Sequence, residues 1–371
     1  MQTICSGFLE EAMEYNDLPA LAIGVTMGEE EWIGAAGVRD VTTRDPLEPG
    51  DVFHCASVSK LFTSVAVMQL AQAGVIRLSD RLSDLLPDLR FADPRAQDIR
   101  IEQMLSHTSG LGDVEDYRWQ EALTAESALS DYVHSDEVLG LPLLWAPGEG
   151  GFRYSNTAYE ILGYLVAVKS AEYTGGGHLS YEDFIERFLL KPAGMTDSTM
   201  FTPGRLGIGE GDDCPLLTEA IRSGGFRMAQ PHAKATDRRI VPMKVYPYTR
   251  SHAPSSTLTS SAADLLKWAR VHMDGLGGTG GTILLPASGY DWIRQKRARV
   301  PNNGEGMGMG WFIREQNGCR LFGHEGTDDG FRASLWICPE RRIGIAVLSN
   351  LSGAPVKRLN KKLFDRLVPS R

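Results

Sequence analysis

The sequence predicts an α/β (α+β) fold: an antiparallel sheet flanked by helices, with an all-α lobe inserted into it. Two observations carry this expectation. Strand-like segments crowd both ends of the 371-residue chain, and apolar helical patterns fill its middle. Strands at both ends can share one sheet only if the two termini close it, which makes the helical part an insertion. The division expected is residues 1–54 and 255–371 for the sheet lobe and 55–254 for the mostly helical lobe.

The elements follow in order. Ile4, Phe8 and Ala12 fall on one helical face, so residues 3–15 are expected to form an amphipathic helix. The apolar run Leu18 to Met27, the turn-like Gly28–Glu31 and Trp32 to Val38 read as a β-hairpin. Leu61 to Ala73 is an apolar helix closed by Gly74. Further helices are expected at 101–106, 121–135, 156–170, 180–190 and 261–273. Near the C-terminus, Met309 to Glu315 and Cys319 to Gly323 flank the hairpin signal Asn317-Gly318. Ala333 to Cys338 and Ile343 to Ser349 flank the turn Pro339–Arg342. In the last helix Val356, Leu359, Leu363 and Leu367 share a face. Residues 202–256 are polar and rich in Pro and Gly, with no clear periodicity. Gly275 to Gly280 matches G-x-G-x-x-G, but a dinucleotide fingerprint follows a strand and opens a helix. This one follows a helix and is read as a flexible loop, as is Gly175-Gly176-Gly177.

With 42% hydrophobic and 23% charged residues the chain reads as an ordinary soluble protein. Its net charge of −9 gives no basic footprint for nucleic acid. The five cysteines, Cys5, Cys55, Cys214, Cys319 and Cys338, form no close pair, so free buried thiols in a reducing compartment are expected. No Lys or Arg precedes Arg39, and the first 17 residues carry four acidic side chains, unlike a secretory signal. The most apolar stretch, Val138 to Ala146, is too short to span a bilayer and contains a proline. The expectation is a cytoplasmic protein without a membrane partner; oligomeric state is unreadable.

Three short motifs could carry chemistry, and each has a bland reading beside it. Ser57-Val58-Ser59-Lys60 precedes the apolar helix, where residues three apart share a face. A lysine amine aimed at a serine hydroxyl can take its proton if burial lowers the amine's pKa; the bland reading is a serine cap and a surface lysine. Tyr154-Ser155-Asn156 also precedes a helix. It could supply a phenolic base and an amide for a substrate carbonyl, or just a buried tyrosine and an N-cap. His324-Glu325-Gly326-Thr327 ends a strand, where a ligand can lie against the backbone and an N–H can join that of Ser57 as an oxyanion hole. A satisfied histidine beside a turn is its alternative.

Taken in this order, S-x-x-K, Y-x-N and H-x-G, the motifs resemble those of the serine β-lactamase and penicillin-binding-protein superfamily. The similarity is to the branch of class C β-lactamases, D,D-peptidases, D-aminopeptidases and β-lactamase-like esterases. Phe53 to Lys60, Leu105-Ser106-His107-Thr108-Ser109-Gly110-Leu111, Pro147-Gly148-Glu149, Ser256 to Ser260 and Gly330-Phe331 add to it. The resemblance implies a β-lactamase/transpeptidase-like fold with the active site between the lobes of a single catalytic unit. It implies Ser57 as the acylated nucleophile, Lys60 as the group that deprotonates it, and Tyr154 as a proton shuttle. Asn156 would orient the acyl amide, and His324 would hold Tyr154 in a polar network. Ser57 and Thr327, beside Gly326, would supply the oxyanion N–H groups. Neither a metal nor an organic cofactor is implied.

Histidine at position 324, where a β-lactamase of this branch usually has lysine, favours the peptidase, aminopeptidase and esterase members. It also leads to the expectation that activity varies around pH 6–7, where histidine titrates. Cys55 is a weak rival nucleophile, and His324-Glu325 lacks the second histidine of a zincin. Lys234, Arg238, Arg239, Lys244, Arg250 and Arg332 are candidates for binding a substrate carboxylate; Tyr246, Tyr248 and Trp145 are candidates for an acyl pocket. The function expected is a serine hydrolase that takes small esters or D-amino-acid and short-peptide amides. The alternative is a penicillin-binding or ligand-sensing protein that acylates without efficient turnover, or a weak β-lactamase.

Overall fold

The computed structural model describes residues 1–119, 121–210, 220, 226–277, 284–301 and 304–370. Cys214, most of the unassigned stretch within 211–225, and the Gly278–Gly280 end of the glycine-rich loop lie outside them.

Helix α1 (Gln2–Asn16) buries Cys5, Phe8, Leu9 and Ala12. Ile4 stays exposed, so the apolar stripe is rotated from the one expected. Strands β1 (Ala20–Met27) and β2 (Glu30–Gly37) form the expected hairpin. β3 (Val52–His54) pairs instead with β6 (Thr259–Ser261) in a short ribbon, and β4 (His232–Lys234) pairs with β5 (Ile240–Pro242). The remaining strands are β7 (Ala298–Arg299), β8 (Gly306–Met307), β9 (Phe312–Gln316), β10 (Cys319–Asp328), β11 (Phe331–Cys338) and β12 (Ile343–Ser349).

The main sheet runs β2-β1-β12-β11-β10-β9-β8-β7, antiparallel throughout. β1 pairs with β12 in the register Ala22↔Leu348 to Met27↔Ile343, so the two ends of the chain close one sheet, as the sequence predicts. Side chains alternate between its faces. On one face Phe322, Leu335 and Ile337 join a core built with α2 (Ser59–Gln72), α3 (Asn156–Thr174), α4 (Ala253–Ser256) and α5 (Ala262–Gly277). On the other, Leu321, Trp336 and Ile345 pack against α1 and α6 (Val356–Leu367).

Two elements are shorter than expected, for local reasons. The helix expected over 121–135 covers only Ser127–Val133. The backbone before it is held by Arg250, which donates to the carbonyls of Leu123 and Thr124. The strand expected from Met309 begins at Phe312, because Gly310 takes φ +81° and breaks the extended run. Among the described residues no helix is long and apolar enough to cross a membrane.

Candidate active site

Ser57 lies in the single turn Ala56–Val58 that joins β3 to α2. Ala56 takes φ +48°, a left-handed conformation costly for a residue with a side chain. Twelve of the fourteen residues of α2, from Ser59 to Leu70, are buried, which draws Lys60 into the interior with them. One turn after the serine, its Nζ donates to Ser57 Oγ at 3.2 Å, to Asn156 Oδ1 at 2.6 Å and to the Ser255 carbonyl at 3.0 Å. Burial lowers the Lys60 pKa to about 8, against an upward pull from Glu160, Asp113 and Asp328.

Asn156 reaches Lys60 because Asp113 fixes the start of α3. The Asp113 carboxylate accepts from Asn156 N at 3.0 Å, Asn156 Nδ2 at 2.9 Å, Thr157 N at 2.9 Å and Thr157 Oγ1 at 2.8 Å. A carboxylate is favoured at a helix N-terminus, where N–H groups lack partners. The amide of Asn156 is oriented by its neighbours: the oxygen must face the ammonium and the nitrogen the carboxylate. Both ends are therefore taken within the protein, and Nδ2 donates to Asp113 and to Tyr117 Oη rather than into open space.

Around the lysine these bonds close into a ring. Ser255, whose carbonyl accepts from Lys60, donates its hydroxyl to Glu160 Oε1. His252 Nδ1 lies 3.1 Å from the same carboxylate oxygen, and its Nε2 lies 3.1 Å from the Tyr117 carbonyl. Tyr117 returns to Asn156, and Asn156 to Lys60. Glu160 is fully buried, which raises its pKa, with His252 the main opposing influence.

Tyr154 lies with its ring 5.0 Å from Lys60 Nζ and 4.4 Å, centre to centre, from the His107 ring. Its hydroxyl is buried beside that of Ser57, near enough for the serine to restrain its pKa but without a hydrogen bond of standard geometry. Burial first, then the charges of Asp113, Asp328 and Glu160, push the phenol well above its ordinary range. Tyr154 is therefore a neutral phenol, not the phenolate that surrounding cations would have favoured.

His324 sits on β10 with its ring centre 6.1 Å from that of Tyr154, and Nδ1 is 2.6 Å from the Glu325 carbonyl. Burial, then the charge of Lys60, pushes its pKa down to about 3. The expected titration near pH 6–7 is thus corrected: a buried imidazole beside an ammonium stays neutral. Gly326 explains its own identity. A Cβ there would stand 2.2 Å from the Cys55 carbonyl oxygen, so only glycine lets β10 lie against the chain that leads into Ser57. Thr327 follows it and is exposed.

Several other candidates are placed elsewhere. Cys55 is fully buried, which drives its thiol pKa far up, opposite to what a nucleophile needs. Arg250 is enclosed and pairs with Glu182 at 2.8 Å; Lys234 pairs with Asp17 and Arg239 with Asp237. Tyr246 and Tyr248 are core residues. Cys5, Cys55, Cys319 and Cys338 are free and buried. Among the described residues no three His, Cys, Asp or Glu side chains gather as metal ligands would. Sequence reasoning missed Asp113, Tyr117, Glu160, His252, Ser255 and Asp328. Only Glu160 carried a signal, a carboxylate within the apolar run Tyr159-Glu160-Ile161-Leu162.

Comparison with known proteins places these features in context. A family model described as Beta-lactamase matches residues 6–368. The chain is 28% identical over 339 residues to penicillin-binding protein 4 of Amycolatopsis lactamdurans, covering 90% of this chain and 81% of that one. It is 23% identical over 369 residues to protein flp of Staphylococcus aureus, covering 97% of this chain and 65% of that one, just under two thirds of its length. Among solved structures, the octameric penicillin-binding protein homologue from Pyrococcus abyssi superposes with a TM-score of 0.78 at 23% identity, over 99% of this chain and 77% of that one. The D-amino acid amidase from Ochrobactrum anthropi SV3, complexed with L-phenylalanine, superposes with a TM-score of 0.77 at 20% identity, over 99% of both. At these identities the structural likeness establishes the shared fold.

Proposed function

Since the chain belongs to the Beta-lactamase family of serine hydrolases, we propose that it hydrolyses small esters or D-amino-acid and short-peptide amides through an acyl-enzyme on Ser57. One observation carries the reading: a fully buried lysine, its pKa lowered to about 8, held 3.2 Å from a partly exposed serine hydroxyl. An amine of that pKa is a competent base near neutrality and returns the proton readily.

In this reading Ser57 Oγ bonds to the substrate carbonyl carbon while its proton passes to Lys60 Nζ. Asn156 Oδ1 and the Ser255 carbonyl hold that nitrogen in place. The N–H groups of Ser57 and Thr327 receive the carbonyl oxygen as it gains charge. As the carbonyl reforms, the bond to the alkoxide or amine breaks, and Tyr154, a neutral phenol beside Ser57, relays the lysine's proton to the leaving group. Water then attacks the acyl-enzyme and gives up a proton to Lys60 Nζ, and that proton passes to Ser57 Oγ as its bond to the acyl carbon breaks and the acid departs. His324, neutral and buried, packs its ring beside that of Tyr154.

The test is hydrolysis of p-nitrophenyl butyrate by the wild type and by Ser57→Ala. Turnover by the wild type and background rates for the variant support the reading; equal rates for the two sink it. A second reading, acylation without efficient turnover, is favoured by the raised Tyr154 pKa, since a phenol that resists ionisation is a poor activator of water. A stable acyl mass on Ser57 with no steady-state release of acid would select it.

A further inference from the structure

Three carboxylates act on Lys60, and two are fully engaged inside the protein. Asp113 holds the start of α3, and Glu160 is sealed between His252 and Ser255. Asp328 is different. Its Oδ2 accepts from His54 Nε2 at 2.8 Å and from the Ser256 hydroxyl. No described residue bonds its Oδ1, and the side chain keeps 14% of its exposure. One oxygen is thus anchored to two buried residues, His54 at the end of β3 and Ser256 in α4, while the other is left to solvent or a ligand.

Its position makes the free oxygen relevant to substrate. Alternation along β10 puts Asp328 on the same face as His324 and Gly326, the face that Gly326 presses against the Cys55 carbonyl beside Ser57. The charge of Asp328 reaches both Lys60 and Tyr154. The cation next to it, Arg332, is drawn by the charges of Asp328 and Asp329, but its Nη1 donates to the backbone carbonyls of Asp328 and Phe331, at 2.7 and 2.6 Å, and so braces the turn without bonding the free carboxylate oxygen. The exposed Asp329 adds negative charge at the same turn. A fixed carboxylate next to the strand that would receive the scissile carbonyl repels a substrate carboxylate and attracts a cation.

We infer that Asp328 is a specificity-determining residue that receives the protonated amine of an aminoacyl substrate. The α-amine of an aminoacyl group lies two bonds from the carbonyl that Ser57 attacks, so one ester or amide can engage both residues. This inference rests on the Ser57 acyl-enzyme reading and narrows its substrates to aminoacyl esters and amides with a free amine.

The experiment compares kcat/KM for each enantiomer of alanine ethyl ester with that for ethyl lactate, which keeps the shape and a hydrogen-bond donor but not the charge. It uses the wild type and Asp328→Asn, in which the amide oxygen can still accept from His54 and Ser256. The wild type should prefer its better alanine enantiomer by about tenfold or more, as expected of a charge-assisted contact. That preference should collapse towards unity in the variant. If Asp328→Asn does not fold, Asp328→Ser, whose hydroxyl can still pair with Ser256, takes its place and must lose the preference in the same way. No preference in the wild type, or the same preference in Asp328→Asn, overturns the inference. Ser57-dependent butyrate hydrolysis without an amine preference overturns this inference alone, whereas absence of Ser57-dependent hydrolysis of every ester overturns the underlying reading as well.

Discussion

Lys60 carries a charge in a place that does not favour charge, and its chemistry follows from that. Below about pH 8 the ammonium holds its proton and cannot accept one from Ser57; above it the free amine dominates. The kcat/KM for p-nitrophenyl butyrate should therefore fall about tenfold per unit as pH drops below that value. Lys60→Ala should lose on the order of 10²–10⁴-fold of the rate. His324→Gln should leave the limb where it is, because the imidazole is neutral throughout this range. A limb near pH ~6.5 that shifts in His324→Gln would show that the histidine titrates after all. At this scale the sequence was legible where residues are close in the chain: Ser57 and Lys60 are one helical turn apart, and their pairing follows from helix geometry. The protonation states of Tyr154 and His324 were not legible, because they depend on how completely distant segments enclose the two rings.

β10 meets the Ser57 turn through a position that admits no side chain. Gly326→Ala would place a methyl group 2.2 Å from the Cys55 carbonyl, forcing β10 away from the Ser57 turn. If Thr327 supplies an oxyanion N–H, kcat should fall roughly 10²–10³-fold, with the melting temperature lowered far less than activity would suggest; full activity in a folded Gly326→Ala would remove β10 from the oxyanion site. The junction of α3 and α4 behaves differently. His252→Phe leaves Glu160 buried with only the Ser255 hydroxyl bonded to it and should cost about 1–3 kcal/mol in denaturant unfolding. Replacing both, as Glu160→Leu with His252→Phe, should recover most of that stability. Activity should stay low in the double variant, because nothing then holds the Ser255 hydroxyl and the carbonyl that orients Lys60. Recovery of activity together with stability would reduce the pair to a packing role. Helices and strands could be read here from periodicity, but Asp113 lies 43 residues before the helix it caps, and no local pattern marks such a distance.

Of the two apolar clusters on the faces of the sheet, the larger runs between the helical part and the sheet. Leu61, Val65, Leu105 and Leu162 of the helical part share a cluster with Ala22, Leu335, Ala346 and Leu348 of the sheet. The topology ties them further, since β1 from the start of the chain pairs with β12 near its end. Closure of the sheet by both termini was legible because each flank carries continuous apolar runs bounded by turn signals. The β3–β6 ribbon was not, since three-residue strands leave no period to read. The site draws on both parts: Ser57 and Lys60 before and within α2, Asn156 on α3, Ser255 on α4 and His324 on β10. Neither part can loosen without exposing the shared cluster, so unfolding should be a single cooperative step. Esterase activity, tryptophan fluorescence and far-ultraviolet circular dichroism should then share one denaturant midpoint. The seven tryptophans, among them Trp145 in the helical part and Trp336 on the sheet, report on both regions at once. Activity lost well before the backbone signal would mean that the helical part detaches first, and that the shared core is a weaker link than its burial implies.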